Sequence, residues 1–252
     1  MAEGGGTTVR DISSGEINDA AFDQLDPAVA WIPGQFGKCL DFSGTDNHRL
    51  TVTDSPSLSI IAALTISLWI YFDDVNPAEN VIFIDKQSDG GNDDSYAMFY
   101  NTTPDTIHFA TQGANLGTNK TDWVTGRWYF LAATYNDAAD TTIIYVDGVQ
   151  DAINTSYTDT MSDTAGDVTI GGRVGATGTV SHNGRMDEVR IYNRALTTQE
   201  VWSLYADPFL EFAPRRVVVG TAAAAGVTVP DQTLAPTVQL MQSGGYIGAV
   251  IR

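Results

Sequence analysis

The sequence is poor in cations. Three lysines, Lys38, Lys86 and Lys120, and ten arginines stand against 31 acidic residues, for a formal charge of −18. A phosphate backbone repels such a chain, so nucleic acid is excluded as the main partner. Glutamate is scarce as well, with six Glu against 25 Asp. Asp disfavours helix interiors and favours turns, and its short carboxylate suits cation sites built from oxygen ligands. There is one cysteine, Cys39, which leaves no internal disulfide. Its place in the apolar segment FGKCLDF reads as a small buried hydrophobe. No stretch of 18 apolar residues occurs, which argues against membrane insertion, and MAEGGGTTVRDISSGE lacks the basic start and apolar run of an export signal.

What the chain does contain is short β-type runs. With 252 residues, 43% hydrophobic and 10% aromatic, it can bury a full core. Eight runs spaced by Asp, Gly, Asn and Pro predict strands: 64–72, 80–86, 96–100, 106–111, 127–135, 141–148, 167–172 and 185–193. Many short strands separated by turn signals indicate a sandwich or a barrel. In the first run Leu64, Ile66, Leu68, Ile70 and Phe72 share one face and Thr65, Ser67, Trp69 and Tyr71 the other. The second face is aromatic, so it is expected to be covered too. Asp147-Gly148 supplies the two positive φ angles of a type I′ hairpin. One helix is expected near 197–205, where Thr197 and Glu200 form a capping box and Val201, Leu204 and Tyr205 a stripe.

After Pro208 the composition changes. Residues 213–252 hold one acid and three arginines, for +2, while residues 1–212 carry −20. The stretch VVVGTAAAAGVTVPDQTLAPTVQL has no helical stripe and two prolines. We therefore divide the chain into a body, 1–208, and an extended C-terminal arm, 209–252.

WIPGQFGKCLDFSGTDNHRLTVTDSPSLSI, LTISLWIYF, GRWYFLAATYN, IIYVDGV, DVTIGG and GRMDEVRIYNRALTTQEV, in that order, closely resemble the laminin G-like, concanavalin A-like jelly-roll family, which includes pentraxin-like domains. The resemblance spans roughly residues 9–206. It implies an all-β fold of two antiparallel sheets in a jelly-roll sandwich, and binding of glycans, proteins or calcium. Related sandwich enzymes hold a structural calcium ion with an aspartate at the position of Asp187. The loop DKQSDGGNDDSY resembles in position the pentraxin loop that gives an Asp-Asn pair to calcium, here Asp93 and Asp94. The partner loop departs from that pattern, with Arg173 where a carboxylate is wanted. LYADPFLEFAPRR resembles the end of laminin G-like proteins encoded by phages.

Catalysis finds no support in the residues. A glycosidase needs two carboxylates close together, and the nearest pair, Asp187-Glu188, is adjacent on a strand and expected to point to opposite faces. His48, His108 and His182 are scattered, without zinc spacing. For a sugar, the expected platforms are aromatic residues near loops, Tyr100, Trp123 and Tyr157, with Trp31 beside them. The expected function is a virion structural or decoration protein that displays a lectin-type sandwich for glycan or host-surface adhesion. It would sit on the virion surface and join other subunits, or copies of itself, through residues 213–252. The alternative is a secreted or cell-surface carbohydrate-binding module.

Overall fold

The computed structural model describes residues 6–13, 17–44, 48–87, 94–112, 114–158, 160–173 and 181–209. The expectations for Asp93 and for the arm lie outside them, as does the side chain of Asp94, which opens a strand. In chain order the strands are β1 (Thr8–Val9), β2 (Ala20–Asp23), β3 (Trp31–Gly34), β4 (Gly37–Asp41), β5 (Arg49–Val52), β6 (Ala63–Phe72), β7 (Val81–Gln87) and β8 (Asp94–Thr102). There follow β9 (Asp105–Ala110), β10 (Asn115–Gly117), β11 (Trp128–Asn136), β12 (Thr141–Val146), β13 (Val149–Asn154), β14 (Val168–Ile170) and β15 (Gly184–Tyr192). A one-turn helix, α1 (Pro27–Ala30), precedes β3, and α2 (Thr198–Ala206) follows β15.

Two antiparallel sheets form. One has the order β1-β2-β5-β14-β7-β8-β9-β10 and the other β13-β12-β11-β6-β15-β4-β3. All eight runs predicted as strands are strands. Between the sheets lies one core, to which β6 gives Leu64, Ile66, Leu68, Ile70 and Phe72 as its alternation requires. Truncating any one of these to Ala would remove about 2–5 kcal/mol. The opposite face of β6 is covered as well. Trp69 packs with Phe130, Tyr145, Val201 and Leu204 in a second apolar cluster under α2, and Tyr205 stacks on its ring at 5.6 Å.

α2 forms where its capping box places it. Thr197 Oγ1 accepts the Glu200 N–H, and Glu200 Oε2 accepts the Thr197 N–H at 2.8 Å. The Asp147-Gly148 connection turns as expected, with φ of +50° and +77° and Val146 facing Val149. Cys39 is buried, and burial pushes its thiol up to about 12, which leaves it an inert part of the wall. Among the described residues no helix is long and apolar enough to cross a membrane.

Candidate functional site

A pocket of about 130 Å³ opens at the end of the sandwich where β4, β6 and β8 finish and β7 and β15 begin. Its floor is apolar, made by Phe72, Val81 and Tyr100. One wall is the β6–β7 loop with Asp74, Pro77 and Ala78. The other is Gly44 with the segment Ser181-His182-Asn183 that leads into β15.

The main chain of that segment is held on both sides. Gly44 donates its N–H to the His182 carbonyl at 3.0 Å, and Asp73 donates its own to the Asn183 carbonyl at 3.1 Å. His182 in turn donates its N–H to Gly171 at 2.7 Å. Two glycines are required here. A Cβ on Gly184, which has φ +144°, would stand 2.0 Å from the Tyr71 carbonyl, and one on Gly44 would stand 2.7 Å from the Asn183 Cβ. The wall is thus a rigid piece of backbone set by β4, β6 and β14, and it carries three polar side chains in a row.

Those side chains differ in state. His182 is enclosed by Phe72 and Phe83, both edge-on within 6 Å, and its Nε2 lies 3.0 Å from the Tyr71 carbonyl. Burial pushes its pKa down to about 4, so it is neutral at pH 7. Ser181 is 3% exposed and its Oγ is buried without a hydrogen-bond partner. On the opposite wall Asp74 accepts the Asn76 N–H through Oδ1 at 2.8 Å. The Tyr100 hydroxyl donates to the Val75 carbonyl at 3.0 Å, and burial beside the Asp105 carboxylate holds this phenol protonated well above the ordinary tyrosine range. The arrangement offers an apolar floor with amide and carboxylate groups at the rim, the pattern that binds a polyol with one apolar face.

Of the expected aromatic platforms, Tyr100 is in this pocket, with 2% of its surface exposed as part of the floor. Trp123 and Tyr157 lie outside the lining of this pocket. Trp123 is 6% exposed, its ring edge-on to Tyr129 at 5.1 Å and its Nε1 donating to the Asp105 carbonyl. Tyr157 is 2% exposed and donates its hydroxyl to the Ala114 carbonyl at 2.7 Å. Both rings belong to the core cluster, as Tyr100 does, and what sets Tyr100 apart is its place in the lining of the pocket.

Asp187 lies on the other face of β15, beneath α2. Its Oδ2 accepts the Phe36 N–H at 3.0 Å, which ties the last strand to the β3–β4 turn across 151 residues. Oδ1 is buried without a donor, and burial pushes the carboxyl up to about 7. A lone pair in that state fits a hard cation such as calcium. Among the described residues no group of three or more His, Cys, Asp or Glu side chains could hold a metal, so further ligands would have to come from the main chain. The neighbouring Glu188 departs from the expected alternation. A bulge between Asp187 and Arg190, with Glu188 at φ +50°, brings its carboxylate 2.6 Å from Arg190, on the Asp187 side of the strand. Each of the two carboxylates has a structural partner, Asp187 the Phe36 N–H and Glu188 the Arg190 guanidinium.

Ser181, Asn183, Asp74 and His182 were not singled out as ligands from the sequence. The signal was there in part: the polar triplet SHN sits against a glycine immediately before the strand RMDEVRIY.

Comparison with known proteins agrees with this architecture. Residues 43–202 match the family model of the concanavalin A-like lectin/glucanases superfamily. No curated protein matches the chain. Among solved structures, domain 4 of an extracellular arabinanase from Geobacillus stearothermophilus, in complex with arabinotriose, is 20% identical at a TM-score of 0.52, over 69% of this chain and 80% of that one. The binding domain of Paraclostridial Mosquitocidal Protein 1 is 16% identical at 0.59, over 81% and 53%. The ligand-binding domain of Botulinum neurotoxin serotype D, in complex with N-acetylneuraminic acid, is 13% identical at 0.57, over 82% and 52%. The chain thus spans about half the length of each of the latter two. At these identities the likeness is one of fold.

Proposed function

We propose that this chain, which belongs to the concanavalin A-like lectin/glucanases superfamily, is a non-catalytic glycan-binding module whose ligand enters the pocket between Asp74 and Asn183. The observation that carries the reading is the make-up of the pocket, with Phe72, Val81 and Tyr100 in its lining and the Asp74 carboxylate and the Asn183 amide on facing walls. Structural neighbours seen in complex with arabinotriose and with N-acetylneuraminic acid support the same direction.

A glycan array followed by titration calorimetry tests this. Asn183→Ala, which removes a partly exposed amide from the pocket wall, is expected to weaken binding about tenfold. Binding unchanged by that substitution would sink the pocket assignment.

Two finer elements belong to the proposal. The first is display: residues 213–252, with a charge of +2 against −20 for residues 1–212, anchor the module to neighbouring acidic subunits on a virion surface. The alternative is a secreted or cell-surface lectin, for which the arm has no required role. The second is calcium as a structural ion held by Asp187, supported by its free Oδ1.

A further inference from the structure

The pocket's chemistry narrows the ligand, on the reading that it binds glycans at all. Among the described residues its lining holds one acidic side chain, Asp74, and neither Lys nor Arg. Asp73 and Glu79 flank Asp74 on the same loop, and the chain as a whole carries −18. A carboxylated sugar placed here would lose its hydration without gaining a cation. It would stand within a few ångströms of a like charge, where repulsion at a partly exposed site is strong. The other polar side chain at the rim, the Asn183 amide, suits neutral hydroxyls, and the Asp74 carboxylate accepts hydrogen bonds from them.

Size narrows it further. A volume of about 130 Å³ lies well below the roughly 300–1,000 Å³ of pockets that enclose drug-sized ligands. One ring fits on the Phe72, Val81 and Tyr100 floor, and the loop 73–80 and the segment 181–183 face each other across it. A polymer running through would need a groove with two exits. A pocket that holds one ring accepts the end of a chain.

We infer that the pocket takes a single uncharged sugar residue at the terminus of a glycan and rejects sialic and uronic acids, unlike the neurotoxin domain seen with N-acetylneuraminic acid.

The test uses the full chain on an array carrying matched neutral oligosaccharides, the same oligosaccharides capped with N-acetylneuraminic acid or a uronic acid, and neutral polymers with blocked ends. Neutral termini should bind, and capping should weaken binding at least tenfold, by less at high salt. Asp74→Asn should recover part of the binding of the capped forms. Equal or tighter binding of the acid-capped forms, or of polymers with blocked ends, overturns the inference while glycan binding stands. If no glycan of any charge binds, the glycan-binding reading fails and the inference with it.

Discussion

His182 illustrates how a single residue couples the pocket to the core. Its ring is packed among phenylalanines while its main chain forms the pocket wall. The folded pKa of about 4 lies below the ordinary 6.5, so the folded state disfavours the proton. The stability this gives is present above pH 6.5 and is lost as pH falls from 6.5 through 4, about 3 kcal/mol in all. Urea unfolding at pH 7 and pH 4.5 should show that loss in the native protein and a much smaller one in His182→Gln. Glycan affinity should fall over the same range, because protonation disturbs the wall. Asp187 has the opposite sign. Its folded pKa of about 7 lies above 3.8, so its contribution is present at acid pH and is lost as pH rises through 7. Asp187→Asn copies the protonated form. In chelator at pH 8 it should be more stable than the native protein, by at most about 4 kcal/mol. With calcium the order should narrow or reverse, since an ion bound to the folded state alone stabilises the native protein. A native protein that responds to neither calcium nor chelator would remove the ion from the proposal.

At the scale of elements, what could be read in advance was local. β6 was visible because its alternation is uninterrupted over nine residues, and α2 because Thr197, Glu200 and the Val201, Leu204 and Tyr205 stripe agree. Strands β2 to β5 are four or five residues long and broken by Gly, Pro33, Arg49 or Asp, so no periodic signal identifies them; the family resemblance does. The site was less legible still. Asp74 and Asn183 are more than a hundred residues apart, and nothing in either stretch announces that β6 and β15 will be neighbours. Trp123 and Tyr157 stand outside the pocket for a related reason, since a loop position in sequence says nothing about which way the ring turns. The hairpin turn carries a testable consequence. Gly148 has φ +77°, and a Cβ there would stand 2.8 Å from the Tyr205 ring. Gly148→Ala should cost about 2 kcal/mol from backbone strain and displacement of α2. It should also change the near-ultraviolet signal of the Trp69–Tyr205 stack, while a strand-edge control such as Val149→Ala should not.

For the molecule as a whole, the question is where the folded body ends. The composition shift places the boundary at Pro208, but two contacts extend past the end of α2. The guanidinium of Arg190, fully buried and paired with Glu188, also donates to the Pro208 carbonyl, and Phe209 packs edge-on against Phe36 at 5.5 Å. A chain cut after Asp207 would leave a buried cation one acceptor short and uncover the Phe36 ring. A loss of about 1–3 kcal/mol is expected. A chain cut after Phe209 keeps both contacts. It should therefore match the full chain in urea midpoint and in glycan affinity, and differ from it only in what residues 210–252 supply. If those residues are the anchor, sedimentation should find the full chain associated and the fragment ending at Phe209 monomeric, and the association should weaken as salt screens the attraction between arm and body. If the fragment associates as strongly as the full chain, the anchor is on the sandwich itself, and the virion-display reading gives way to a lectin whose arm is dispensable.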